Sequence, residues 1–324
     1  MRYQRVLIVG GTGFIGRYVV KRLAARGTVI AVVSRNADAA GFLRPLGDVG
    51  QIALINAGLG NERRLRALLE EGMDAVICCA GVLYSRGRQT FAEVHHEGPA
   101  RLARLATASG VKRFVHVSAL GADAASPSVY GRSKAAGEAA VRAAFPEAVI
   151  FRPSVVFGPE DDFFNRFASL ARYSPVLPLI GGGLTRFQPV YVGDVADAVA
   201  AVLDHHDAAG RIFELGGPLV YSFKELMELL LREIDRRRAL VSLPVPLAQL
   251  VAFFLEWLPS PPLTRDQVRL LQKDNVVEPG VPDLGSLGVT PTSLELVLPT
   301  YLDRFRRGGR FGLARTAPAG PLNE

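Results

Sequence analysis

Residues 10–16, Gly-Gly-Thr-Gly-Phe-Ile-Gly, follow the apolar run Val6-Leu7-Ile8-Val9 and open a helical pattern that stops at Gly27. The physics of this turn is specific. Gly10 permits the tight bend, Gly13 lets backbone amides approach a pyrophosphate, and Gly16 lets the helix pack closely on the strand. The helix N-terminus then offers unpaired N–H groups and a partial positive charge to phosphate oxygens. Glycine spacing alone is weak. Here a strand precedes it, a helix follows over about Phe14 to Arg26, and a second strand, Val29–Val33, comes at the right distance. A bound dinucleotide is expected.

Apolar runs and helical patterns go on alternating, the signature of a parallel sheet with crossover helices. Strands are expected at 6–9, 29–33, 51–55, 74–79, 114–117 and 148–151, and helices at 63–71, 99–109 and 130–145. The fold class is therefore α/β: a doubly wound parallel Rossmann sheet with a smaller C-terminal lobe covering the substrate side. Residues 1–155 are assigned to the nucleotide domain, with 189–217 returning to it through a strand at 211–215. Residues 156–188 and 218–305 are assigned to the smaller α/β lobe, where Pro and Gly become frequent. Within it Ser222-x-x-Glu225 is a capping box opening a helix over 223–237. A last helix is expected near 293–305, and 306–324 as a disordered tail.

The end of the second strand selects the cofactor. A ribose 2′-hydroxyl is usually held there by Asp or Glu. This chain has Ser34-Arg35-Asn36, and Arg35 offers a planar cation suited to a 2′-phosphate. Arg17, just past the last glycine, is placed to face the same group. Asp38 is the one argument for NAD. NADPH or NADP is the expected cofactor, with NAD second. Thr12, Phe14 and Ile15 complete the turn that would hold it.

Tyr130-Gly131-Arg132-Ser133-Lys134 puts a phenol and an ammonium four apart, on one face of a helix. An ammonium beside a phenol stabilises the phenolate, which suits Tyr130 to general acid/base work. Lys134 also suits the nicotinamide ribose. Ser118, at the end of the fifth strand, is placed to hydrogen-bond a substrate carbonyl. The candidate catalytic residues are Ser118, Tyr130 and Lys134.

Of the 324 residues 49% are hydrophobic, enough for one large core or two moderate ones, and the net charge is +7. The excess is Arg spread along the chain and no nucleic-acid module is visible, so no nucleic-acid partner is expected. Cys78 and Cys79 are strand neighbours pointing to opposite faces, poorly placed to bridge. This fits a reducing, cytoplasmic setting. No signal peptide is read at the N-terminus, and no apolar run reaches the roughly 18 residues of a membrane span. His95-His96 and His205-His206 read as surface or loop pairs, so no metal site is expected. Glu160-Asp161-Asp162 reads as a charge cluster at a helix N-terminus. Residues 236–263 join Arg236-Arg237-Arg238 to an apolar, Pro-rich stretch with Phe253, Phe254 and Trp257. Two readings of it stay open: the core of the smaller lobe, or a face lying on an anionic membrane surface.

The chain resembles the short-chain dehydrogenase/reductase superfamily, extended or atypical branch. Within it, the likeness is to the NADPH-binding accessory subunits of respiratory complex I and their bacterial relatives. The residues that carry this are His116-Val117-Ser118-Ala119-Leu120-Gly121-Ala122, the segment from Tyr130 to Gly137, and Phe145-Pro146-Glu147-Ala148. Arg152-Pro153-Ser154-Val155-Val156-Phe157-Gly158-Pro159-Glu160-Asp161, Asn165-Arg166-Phe167-Ala168 and Phe187-Gln188-Pro189-Val190-Tyr191-Val192 continue it, with Asp194-Val195-Ala196 and Leu263-Thr264-Arg265-Asp266-Gln267-Val268. The resemblance implies tightly held NADPH, with Ala80, Gly81 and Pro153 also against the cofactor. It implies as partner respiratory complex I or a related membrane assembly, on the cytoplasmic face of an inner membrane. Asn56 departs from the pattern: many relatives carry Asp there for the adenine. Two functions stay open. The resemblance favours a cofactor held mainly for structure or assembly at the membrane. The retained Ser118, Tyr130 and Lys134 favour an active oxidoreductase or epimerase on a quinone-related or other carbonyl substrate.

Overall fold

β1 (Arg5–Val9) is buried from Val6 onward because helices cover both faces of the sheet it centres. The computed structural model describes residues 4–309, apart from 88 and 260. The nucleotide half runs α1 (Phe14–Ala24), β2 (Val29–Ser34), β3 (Ile52–Asn56), α2 (Glu62–Glu70), β4 (Ala75–Cys78), α3 (Gly98–Ala108), β5 (Arg113–Val117), α4 (Val129–Ala144) and β6 (Val149–Pro153). Then come β7 (Val156–Phe157), α5 (Phe163–Tyr173), β8 (Val176–Ile180), β9 (Arg186–Phe187), β10 (Val190–Tyr191), α6 (Val192–Val202) and β11 (Ile212–Leu215). The chain ends with β12 (Tyr221–Ser222), α7 (Phe223–Glu233), β13 (Ala239–Leu243), α8 (Val245–Leu255), α9 (Arg265–Leu270) and α10 (Leu294–Leu302).

Seven parallel strands are ordered β11-β6-β5-β4-β1-β2-β3. Period-2 alternation splits their side chains between two cores. Val6, Ile8, Val115 and Phe151 meet α1 and α6, while Leu7, Val9, Phe114 and Cys78 meet α2, α3 and α4. The chain leaves β1 for β2 and β3, then crosses back to β4. The strand order therefore reverses between β1 and β4, and a crevice opens at their C-terminal ends, where ligands of such sheets bind.

The smaller lobe has its own core of Phe157, Phe164, Phe223, Leu226, Leu230, Leu298 and Tyr301. Asp161 ties it together. Its buried carboxylate accepts from the amides of Gly158, Phe164 and Asn165 and from the Tyr301 hydroxyl, so from one residue before the N-cap Asp162 it satisfies the first turn of α5, within the expected acidic cluster. α7 opens with the expected Ser222–Glu225 capping box. Residues 241–263, which show no helical periodicity in sequence, are the end of β13 followed by α8. Pro246 sits in the first turn of α8, where the missing N–H costs nothing. The period was hidden because α8 is apolar all round. Only Ala248 and Ala252 of α8 are buried, against Ile180 and Val268. Leu250, Phe254 and Trp257 stand out into solvent, Trp257 with 81% of its surface exposed. No helix among the described residues is long and apolar enough to cross a membrane. The expected tail lies outside the described residues from 310 onward.

Candidate functional site: the crevice between β1 and β4

The glycine turn closes over the crevice by backbone contact. Gly10 has φ +80°, and a Cβ there would stand 2.9 Å from the Ala80 amide nitrogen. A Cβ on Gly16 would fall 2.3 Å from the Gly10 carbonyl oxygen. No side chain fits at either place. Gly13 is the N-cap of α1 and lends it no side-chain hydrogen bond, and no acidic residue lies in the first turn. The first amides of α1 are thus left for an anion at the mouth of the crevice. Phe14 and Ile15 offer only their backbone there. Phe14 packs edge-on to Tyr18, and Ile15 packs against the sheet core.

At the β2 end a cavity of about 290 Å³ is lined by Thr12, Ser34, Arg35, Asn36, Ala39, Ala40 and Phe42. Thr12 and Ser34 share a hydrogen bond of 3.0 Å between their hydroxyls. Arg35 is exposed and has no carboxylate partner among the described residues. The Arg17 guanidinium lies 4.9 Å from the centroid of the Phe42 ring and is paired to Glu160 at 3.4 Å. Asn56 turns to the neighbouring loop. Its oxygen accepts from the Ala37 amide at 2.7 Å, and its amide donates to Asp38 at 2.7 Å.

At the other end stand Tyr130 and Lys134, in the first two turns of α4. The Lys134 ammonium donates to the Val117 carbonyl at the tip of β5, 3.3 Å away, and lies 5.9 Å from the centroid of the Tyr130 ring. Gly81, past the end of β4, leaves room beside it, since a Cβ there would come within 3.4 Å of the ammonium nitrogen. Pro153 closes β6, and its carbonyl accepts from the Leu120 amide at 2.9 Å. Ser118 is buried and its hydroxyl has no hydrogen-bond partner among the described residues, and no hydrogen bond among them joins it to Tyr130 or Lys134.

His95 overturns the surface reading. A π-helical turn over Ala92–Glu97 shifts the register and carries its ring into the interior, fully buried. Its Nε2 accepts from the Val82 amide at 3.0 Å, so the proton is on Nδ1, which donates to Ser133 Oγ at 2.9 Å. Ser133 passes its own proton to the Tyr130 carbonyl at 2.7 Å. The ring stands edge-on to Tyr130, 5.3 Å between centroids. His116, paired across the sheet with Cys78, is buried with both nitrogens unpartnered. Desolvation, and then the Lys134 charge, lower both histidines to about 3. They are neutral at any working pH. No sequence period marks either residue, because a π-turn breaks the helical pattern around His95 and β5, buried on both faces, has no alternation to mark His116.

A wider cleft of about 460 Å³ lies on the other flank of α4, between residues 120–124 and 273–278. Neither Tyr130 nor Lys134 lines it. Its floor, Arg152, is bound to Glu138 at 2.7 Å and Glu214 at 3.5 Å, so its main charges are matched internally.

Residues 6–216 match the model of the NAD dependent epimerase/dehydratase family. The chain belongs to that family. It is 36% identical over 314 residues to the NADH dehydrogenase (ubiquinone) 1 alpha subcomplex subunit 9 of Arabidopsis thaliana mitochondria, covering 93% of this chain and 78% of that one. It is 37% identical over 196 residues to a ceramide reductase of Caulobacter vibrioides, covering 60% of each. In fold it is similar to DesIV, a dTDP-glucose 4,6-dehydratase of Streptomyces venezuelae with NAD bound. The TM-score is 0.71 at 22% identity, covering 95% of this chain and 98% of that one.

For an epimerase/dehydratase chain the group held in this crevice is a nicotinamide dinucleotide, NAD(P). The open amides of α1, the cavity at Arg35 and the space at Gly81 fit it. When bound, such a group gives or takes a hydride. The residues that line the crevice would bind and orient it. The sequence points to a phenol drawn down by Lys134, but desolvation instead pushes Tyr130 up to about 12, so it is protonated at rest. Desolvation lowers the Lys134 ammonium to about 8. An anionic dinucleotide favours the charged ammonium and raises that pKa on binding. Affinity is then full below about 8 and lost as pH rises through it. Calorimetry across about pH 6.5 to 9.5 is expected to show about a tenfold loss, and a flat profile in Lys134→Met. A flat profile in the unaltered protein would remove Lys134 from the site.

Proposed function

We propose that this chain is an NADP(H)-binding accessory protein of the complex I type, holding its cofactor mainly for structure or assembly on the cytoplasmic face of an inner membrane. The observation that carries the reading is near full-length likeness to a complex I subunit in a chain that leaves the large side chains of α8 uncovered. Uncovered apolar patches of this kind mark interaction surfaces. Cations gather at the start of β13, which leads into α8. Burial, then repulsion from Arg238, Arg172 and Arg307, lowers the Arg236 pKa. These cations, with exposed Phe254 and Trp257 further along the same segment, are complementary to anionic lipid, where each cation adds about 1 kcal/mol.

Preference for NADP(H) over NAD(H) is supported at the β2 end. Arg35 is unpaired, Arg17 stands over Phe42 at the same cavity, and Asp38 is engaged by Asn56. Arg35→Asp removes a charge-assisted contact to a 2′-phosphate and adds repulsion. NADPH affinity is expected to fall about a hundredfold, on the order of 2–3 kcal/mol, with NADH little changed. Equal losses by calorimetry would overturn the preference.

For the membrane, Phe254→Glu combined with Trp257→Glu is expected to abolish a salt-sensitive binding to anionic vesicles while leaving the thermal melt intact. A well-folded double mutant that still sediments with vesicles would make α8 irrelevant to the partner.

A second reading, an active reductase on a quinone-related or other lipid-soluble carbonyl, is supported by the Tyr130–Lys134 geometry and by likeness to a ceramide reductase. In that case Tyr130→Phe abolishes turnover and leaves nucleotide affinity nearly intact. Turnover surviving in Tyr130→Phe would exclude the phenol as the proton donor.

A further inference from the structure

The helix that carries Tyr130 and Lys134 is capped from a distant segment. The first amides of an α-helix have no acceptor within it. In α4, the Gly131 amide goes to the Ser128 hydroxyl at 3.3 Å, as a local cap arranges. The amides of Val129 and Tyr130 go instead to the carboxylate of Asp266, at 2.8 and 3.0 Å. The Ser128 hydroxyl donates to the same carboxylate at 2.7 Å. Asp266 stands 136 residues from Tyr130 along the chain, in the first turn of α9, with Arg269 3.7 Å away. α9 in turn packs on α8 through Val268, Ala248 and Ala252.

We infer that Asp266 is a positioning residue for the nicotinamide end of the crevice, fixing the first turn of α4, and Tyr130 with it, to the α8–α9 pair. This rests on the reading of Tyr130 and Lys134 as the residues that hold that end. Hydrogen bonds to an ionised acceptor are about twice as strong as neutral ones, and a helix N-terminus favours an anion. Without the carboxylate, only Ser128 caps α4, and the first turn frays because its amides have lost their partners. Tyr130 is in that turn. Lys134 is one turn further on, so fraying of the first turn also loosens its reach to the Val117 carbonyl and to the nucleotide. The adenine end, built from Thr12, Ser34 and Arg35, has no part in α4. The two ends of the crevice therefore respond differently to the loss of Asp266.

That difference is the test. Calorimetry compares NADPH with adenosine 2′,5′-bisphosphate, which reaches only the adenine end. The proteins are the unaltered chain, Asp266→Ala, Asp266→Asn and Lys134→Met. Asp266→Ala is expected to weaken NADPH about tenfold while leaving the bisphosphate within about twofold. Asp266→Asn, which keeps one acceptor, falls between. Amide hydrogen exchange at residues 129–131 speeds up in step. Equal losses of both ligands would show a general effect on the fold and overturn the inference, as would no loss of either. If Lys134→Met weakens NADPH alone and Asp266→Ala does not, the inference fails and the reading of the nicotinamide end stands. If neither variant weakens NADPH, that reading fails and the inference falls with it. Should Asp266→Ala not fold, Asp266→Asn carries the same comparison.

Discussion

Backbone packed directly on backbone at the end of β1 is the constraint on which the rest of the structure depends. The Gly10 carbonyl fills the space that a Gly16 side chain would need, and the Ala80 amide stands against Gly10 itself. One contact seats α1 on the sheet. The other draws the end of β4 to the same point. Together they aim the open N-terminus of α1 into the crevice made by the reversal of strand order. They also fix Gly81, and the space at Gly81 is bounded by Lys134. A single methyl group at either glycine would force these elements apart, since close-packed interiors absorb such volume poorly.

The far end of the crevice is organised around one buried ammonium. Lys134 is desolvated and among the described residues has one acceptor, the Val117 carbonyl. The two histidines near it are kept neutral, chiefly by burial, so they add no like charge to the site. His95 is further locked into one tautomer by the Val82 amide, and its proton leads through Ser133 to the Tyr130 carbonyl. This chain fixes the backbone of Tyr130 from one side, and Asp266 fixes it from the other. The phenol itself is left protonated in a dry setting. Ser118 and His116 keep unpartnered polar atoms on the same strand tip, which is costly in a closed protein and reasonable beside a site that takes a polar ligand.

Much of this was legible in the sequence, for physical reasons that differ by element. The strands read clearly because a parallel sheet covered on both faces demands continuous apolar runs, as in Val6–Val9. The glycine turn read clearly because each glycine answers a separate steric demand. Tyr130 and Lys134 were legible because four residues make about one helical turn. His95 was not, because a π-turn breaks the 3.6 period that would have pointed it inward. Asp266 was not, because a cap supplied from 136 residues away leaves no local signature. The role of α8 was not, because a helix apolar on every side has no moment to read.

α8 and α7 show what that last silence means. Both are rich in large apolar residues. α7 buries Phe223, Leu226, Met227 and Leu230, with its charged residues outward, as a surface helix of a lobe does. α8 inverts the arrangement: the side it turns inward is Ala248 and Ala252, one turn apart, while Leu250, Phe254 and Trp257 face out. Small residues inward let α8 lie close on α9 but bury little area, so the contact adds little to the stability of the lobe. Large residues outward bring the lobe little packing. Among the described residues nothing covers these side chains, so this face gains apolar contacts only when something else covers it. The contact that α8 does make, through α9 and Asp266, leads to the first turn of the helix that carries Tyr130. The uncovered face and the crevice are thus joined through one run of contacts.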